Sequence, residues 1–211
     1  MAAHLVWDWN GTLLDDFALV AAATSTVITG AGGLDVDPDT HRARFRRPII
    51  EYYGELLGRP LTPEEFVKLD EQFHSDYRVR LPGCQLSLGA SEALSSWRGT
   101  QSLLSMWHHR ELVPLVDTFG LTPHFARVDG LRRPSEDSKR PFLVAHLEAL
   151  SIDGPDCVLI GDSVDDALAA AAVGARCVLY SKGFTARSAL EAVGVPVADS
   201  LADAIAIAST D

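Results

Sequence analysis

The chain is poor in the residues that staple or anchor a fold. Its three cysteines, Cys84, Cys157 and Cys177, are odd in number and lack the paired spacing of a thiolate metal site, which excludes a disulfide framework. Two of them open apolar runs, where reduced core residues are expected. A bilayer-spanning helix needs about 20 apolar residues, and the longest apolar stretches, around Ala167 to Val173 and Leu201 to Ala208, are far shorter. With no secretory leader or membrane span expected, the reading is a soluble, cytoplasmic protein, monomeric or homodimeric, that does not engage membranes. Positive charge is also scarce. Eighteen Lys and Arg face 29 Asp and Glu, a net charge of −11, so a phosphate backbone would be repelled and nucleic acid is not expected as a partner. Lysine is the rarest cation, with only Lys68, Lys139 and Lys182 against fifteen arginines.

The chain has enough apolar material for a sizeable core: 211 residues, 47% hydrophobic and 22% charged. Near the N-terminus the short apolar run His4 to Trp7 leads into Asp8-Trp9-Asn10-Gly11-Thr12-Leu13-Leu14-Asp15. Asn-Gly between apolar runs suits a hairpin, but Leu13, Leu14, Phe17, Val20, Ala21, Val27 and Ile28 recur at helical spacing. The unit therefore reads strand, turn, helix, with Asp8 at a strand's carboxyl end. From Asp16 to about Arg80 the periodicity stays helical, broken at Gly30 to Gly33, Pro48, and Gly58 to Pro60. Thr62, Pro63 and Glu65 mark the start of its last helix through a capping box. After Leu81-Pro82-Gly83, strands around Ser102 to Ser105, Ala126 to Val128, Val158 to Ile160 and Val178 to Tyr180 alternate with helices, which implies a parallel sheet with right-handed crossovers. The expected fold class is α/β: a Rossmann-like parallel sheet flanked by helices (residues 1–15 and 81–211) with an inserted all-α cap domain (residues 16–80).

Three further segments carry candidate chemistry. The run Cys157 to Ile160 leads into Gly161-Asp162-Ser163-Val164-Asp165-Asp166, then an alanine-rich helix ending at Gly174. Ser102 to Ser105 is a short strand ending in a hydroxyl, and Lys139 precedes Arg140-Pro141 and a helix through Leu150. With Asp8 to Asp15, these four segments resemble, in order, the four motifs of the haloacid dehalogenase superfamily, nearest to its phosphoglycolate phosphatase-like branch with a small helical cap. One position departs from the usual Asp-x-Asp-Gly-Thr: Asn10 stands at the second aspartate.

The resemblance implies a phosphohydrolase acting on small phosphorylated metabolites. Asp8 would be the nucleophile, forming an aspartyl phosphate that water later hydrolyses. Mg²⁺ would be held by Asp8, Asp162, Asp166 and the main-chain carbonyl of Asn10. Lys139 would pair with Asp8 and a phosphate oxygen, and Ser105 with the following backbone N–H, at Met106, would bind the phosphate. Arg46 and Arg47, in an arginine-rich stretch before Pro48, are the candidates for the substrate's leaving group.

Each residue also has a structural reading. Asp166, three residues after Ser163, suits a helix cap, and Asp165 a solvated first-turn charge. Ser105 suits a strand end, His108 and His109 a helix start, and the arginines a solvated basic face. Asn10 itself cannot transfer a proton as a carboxylate does. This leaves open a substrate with a good leaving group such as an acyl phosphate, a substitute acid from the cap or at His108, a catalytically impaired module that binds phosphate ligands, or deamidation of the susceptible Asn10-Gly11 pair. A dehalogenase needs no metal, and a Schiff-base phosphonatase would need a cap lysine, for which only Lys68 is available.

Overall fold

The computed structural model describes residues 4–132 and 138–210. The chain begins with β1 (His4–Trp7) and then forms four helices, α1 (Phe17–Gly30), α2 (Pro38–Arg44), α3 (Ile49–Leu56) and α4 (Pro63–Arg80). The remaining elements alternate: α5 (Ala90–Ser96), β2 (Thr100–His108), α6 (His109–Thr118), β3 (Val128–Leu131), α7 (Arg140–Leu150), β4 (Cys157–Gly161), α8 (Val164–Val173), β5 (Arg176–Tyr180), α9 (Arg187–Ala192), β6 (Val197–Ala198) and α10 (Leu201–Ala208). All paired strands run parallel in the order β3-β2-β1-β4-β5-β6. This is a Rossmann-like sheet flanked by helices.

The apolar runs explain why these segments are strands. Every residue of β1 and β4 is buried, as expected where helices cover both faces of a parallel sheet. Side chains alternate between two cores. Leu5, Trp7, Leu103, Val158, Ile160 and Val178 face one cluster. Val6, Leu104, Leu159 and Leu179 face the other, against Leu143 and Leu147 of α7 and Ala167 and Ala170 of α8. Two strands differ from their sequence-based extents. The third lies at Val128–Leu131 rather than from Ala126, and β2 continues past Ser105 to His108. Pairing extends β2: His108 stands opposite Leu131 across an irregular register.

Between β1 and β2 the chain is helical, with strong local start signals. Asp37 caps α2 by accepting from Thr40 N, with Pro38 following it. Thr62 and Glu65 close the capping box that opens α4. These helices pack around their own apolar cluster of Val27, Ile28, Val36, Tyr52, Tyr53, Phe66 and Leu69.

The sheet register positions the site. Trp7 is level with Leu103 on one side and Ile160 on the other. Asp8, one residue on, and Ser105 and Asp162, two residues on, therefore emerge along one carboxyl edge. From β1 the chain winds outward through β2 to β3, then crosses back to β4 on the other side of β1 and winds the opposite way; such a switch point is where open α/β sheets bind ligands.

Candidate active site

The turn after β1 brings its side chains inward. Thr12 N and Leu14 N donate to Trp9 O at 3.2 and 2.9 Å, so the chain turns tightly over Gly11, which sits at φ 72°. A Cβ at Gly11 would lie 2.5 Å from Asp162 Oδ2, and one at Gly183 would lie closer still to the same oxygen. Glycine at both positions makes room for that carboxylate. Phe184 N donates to Asp162 Oδ2 at 2.6 Å, and Thr12 Oγ1 lies 3.3 Å from both Asp8 Oδ2 and Asp162 Oδ1.

Asp8, Asp162 and Asp166 are all buried and offer oxygens within 4.8 Å of one another. Lys139, 2% exposed, stands just before α7. Its Nζ donates to Asp8 Oδ1 at 2.5 Å and also to Asp166 Oδ1. Asp166 does both jobs read from its position. Its other oxygen, Oδ2, accepts from Ser163 N at 3.0 Å and Ser163 Oγ at 2.6 Å, completing a capping box for α8.

One ammonium therefore faces three buried carboxylates. Burial raises the Asp8 pKa to about 6, Lys139 partly offsets it, and Asp166 adds to it. Asp162 is pushed well above the usual carboxylate range by burial and then by Asp8 and Asp166. Burial works against the Lys139 charge, but Asp166 and Asp8 outweigh it and hold its pKa above that of ordinary lysine. An oxygen-only, electron-rich, buried donor set with too little positive charge fits a hard divalent cation.

A cavity of about 840 Å³ opens over this cluster, lined by residues of the sheet edge and of the helices between β1 and β2. Asp8, Asn10, Ser105, Met106, Arg47, Lys139, Asp162 and Asp166 all line it. Arg46 is absent from the lining. Its guanidinium pairs with Glu55 on α3, so the two arginines part company. Arg47 Nε lies 3.8 Å from Asp165 Oδ2, which also accepts from Lys139 N at 2.8 Å. Asp165 is therefore not the solvated charge expected from sequence: it ties the arginine stretch to the start of α7.

Asn10 is held in a network that its sequence position does not reveal. Its Nδ2 donates to Asp16 Oδ2 at 2.7 Å and to Tyr77 Oη at 3.1 Å, while its Oδ1 accepts from Ser105 Oγ at 3.2 Å. Asp16 also accepts from Gly11 N and from Tyr77 Oη, each at 2.7 Å. Burial raises the Asp16 pKa to about 6, against the pull of hydrogen bonds from Asn10 and Tyr77. The sequence signal for Asp16 is weak, because the second acid of Asp15-Asp16 reads as the start of the helical segment. Tyr77, near the end of α4, carries no signal of its own: an aromatic residue within a long helix is ordinary core. His108 lies at the end of β2 beside α6, its ring 4.5 Å from that of His74, and both line the cavity.

Residues 137–204 match the sequence family described as HAD-hydrolase-like. A phosphoglycolate phosphatase of Chromobacterium violaceum is 24% identical over 89% of this chain and 89% of its own length. One from Caulobacter vibrioides is 27% identical over 87% of this chain and 81% of its own. A solved structure of a predicted phosphatase from Clostridium acetobutylicum superposes with a TM-score of 0.84 at 15% identity, covering 98% of each chain. The carboxyl-terminal part of the chain thus matches a haloacid dehalogenase-like hydrolase family, most of its length is similar to phosphoglycolate phosphatases, and its architecture is that of a solved phosphatase structure.

Proposed function

We propose that the protein is a Mg²⁺-dependent phosphohydrolase of small phosphorylated compounds that works through an aspartyl phosphate on Asp8. The observation that carries this reading is the buried cluster of Asp8, Asp162 and Asp166 around Lys139, at the carboxyl edge of the sheet and open to a cavity. The similarity to phosphoglycolate phosphatases along most of the chain supports it.

Asp8, Asp162, Asp166 and the main-chain carbonyl of Asn10 would hold the cation. When bound, Mg²⁺ supplies Lewis-acid stabilisation of charge on the transferring phosphoryl group. Lys139 keeps Asp8 ionised and offers a positive charge where the phosphate dianion arrives. Ser105, its hydroxyl turned from Asn10, and Met106 N–H would donate to phosphate oxygens, and Arg47, which lines the cavity, would meet the rest of the substrate. Asp8 attacks phosphorus, the P–O bond to the leaving group breaks, and water later displaces phosphate from Asp8. Residues 16–80 act as a cap that closes the cavity over this chemistry.

Asn10 favours a second reading, a catalytically impaired module that binds phosphorylated ligands, because its amide supplies no general acid. Rapid-quench mass spectrometry during turnover separates the two. A phosphoryl group on the Asp8 peptide supports the enzyme; tight ligand binding with no phosphorylation and no turnover supports the binding module.

A further inference from the structure

We propose that the substrate is an aryl phosphate, its phosphate carried on the oxygen of an aromatic ring. The inference rests on the phosphohydrolase reading and names the substrate class of that site. Two independent observations lead to it.

The first is the set of protons around Asp8. Its side-chain hydrogen-bonding partners among the described residues are Thr12 and Lys139, and the ammonium of Lys139 is held between two carboxylates. The Asn10 amide is committed on both sides, its Nδ2 to Asp16 and Tyr77 and its Oδ1 to Ser105. The Tyr77 hydroxyl is itself given to Asp16. With Asp162 and Asp166 serving as cation ligands, none of the side chains hydrogen-bonded to Asp8 or Asn10 is an uncommitted acid that could protonate a departing oxygen, and His108, elsewhere in the lining, has its Nδ1 3.3 Å from Glu111 Oε1. A leaving group must then be stable as an anion. A phenolic oxygen has a pKa of about 10, whereas an alkoxide is closer to hydroxide, whose conjugate acid has a pKa of about 16. An acidic aryl oxygen leaves without help; an alkoxide does not.

The second is the cavity. At about 840 Å³ it lies in the upper part of the range for drug-sized ligands, roughly 300–1,000 Å³, far beyond the needs of a two-carbon acid. Its walls are aromatic: Phe45, Tyr53, Phe66 and Phe73 from the helical segment, Trp107 and Phe184 from the sheet side. Phe45 packs on the rings of His41 and Phe184, and Phe73 on that of Tyr77, yet both stay half-buried and line the cavity. Offset or edge-to-face contacts with a planar ligand suit such walls.

In the reaction, a carboxylate oxygen of Asp8 forms a bond to phosphorus as the bond from phosphorus to the aryl oxygen breaks. The phenolate departs with the electron pair and takes its proton from solvent. Water then attacks the aspartyl phosphate, releasing phosphate and restoring Asp8.

Steady-state turnover of four compounds by the Mg²⁺-loaded protein tests this on two axes. Phenyl phosphate has a ring and an acidic leaving group, benzyl phosphate a ring alone, acetyl phosphate an acidic leaving group alone, and glycerol phosphate neither. Phenyl phosphate should exceed benzyl phosphate by about 100-fold or more in kcat/KM, the scale of missing general-acid help. It should exceed acetyl phosphate about tenfold, mainly through KM. Phe45→Leu and Phe73→Leu, each verified as folded by circular dichroism, should lower the phenyl-to-acetyl ratio. Equal rates for benzyl and phenyl phosphate, or an unchanged ratio in both variants, would overturn the aryl assignment and leave the phosphohydrolase standing. Absence of turnover with all four would instead defeat the phosphohydrolase reading, and the aryl assignment with it.

Discussion

Replacing Lys139 with methionine removes the ammonium from a site nearly closed to water. The lysine is 2% exposed, and its Nζ serves Asp8 and Asp166 together. Methionine keeps most of the aliphatic stem, so little packing is lost. What remains is Asp8, Asp162 and Asp166 with no cation among them. Breaking a buried ion pair from one side costs about 3–5 kcal/mol. For a chain of this size each kcal/mol shifts Tm by about 2–4 °C, so metal-free Lys139→Met should melt about 6–20 °C below wild type near neutral pH. Proton uptake by the stranded carboxylates caps the loss, and it should shrink towards about pH 5. Mg²⁺ supplies the missing charge and should stabilise the variant more than it stabilises wild type. Thermal unfolding followed by circular dichroism, in chelator-treated buffer and then with Mg²⁺, measures all three effects. A Tm loss below about 3 °C, or one that does not change with pH, would refute the argument that Lys139 holds these charges together.

Removing Asp162 or Asp166 as the amide should weaken Mg²⁺ binding, and the double variant should show almost none by calorimetric titration; undiminished affinity would leave both as helix-start acids. The folded pKa of Asp8, about 6, lies above its unfolded value of 3.8, so the stability tied to its neutral form is complete below about pH 4 and lost as pH rises through about 6. Metal-free Asp8→Asn should therefore melt higher than wild type at about pH 7 and lose that advantage at about pH 4, as read by thermal scans. Asn10→Asp would set a carboxylate where Nδ2 now donates to Asp16 Oδ2 at 2.7 Å, so the single variant should lose about 1–3 kcal/mol in denaturant unfolding. Pairing it with Asp16→Asn should recover that stability and raise alkyl phosphate hydrolysis more than aryl, in a leaving-group series.

Much of this site is legible in the sequence because local patterns carry it. Asp8, Asp162 and Lys139 each follow or precede a recognisable apolar run, and strand ends of a parallel sheet converge on one edge. The helix starts at Thr62 and Ser163 are equally plain, since a capping box is a pattern of four consecutive residues. What escapes depends on tertiary approach. Nothing near Asp16 announces that Tyr77, 61 residues away, will reach it from α4, or that the pair will lock Asn10. Arg46 and Arg47 are alike in sequence, yet only their different partners, Glu55 and Asp165, decide which faces the cavity. Asp165 reads as solvated because a first-turn acid usually is, and its ties to Lys139 N and Arg47 come from the fold.

Hydrolysis of an aryl phosphate by wild type and by Asp8→Asn, each with and without Mg²⁺, tests the central claim most directly. Turnover is expected only from wild type with the cation present, because the amide keeps the shape of Asp8 but is not nucleophilic. Comparable turnover by Asp8→Asn, or by wild type in chelator, would contradict the proposed mechanism.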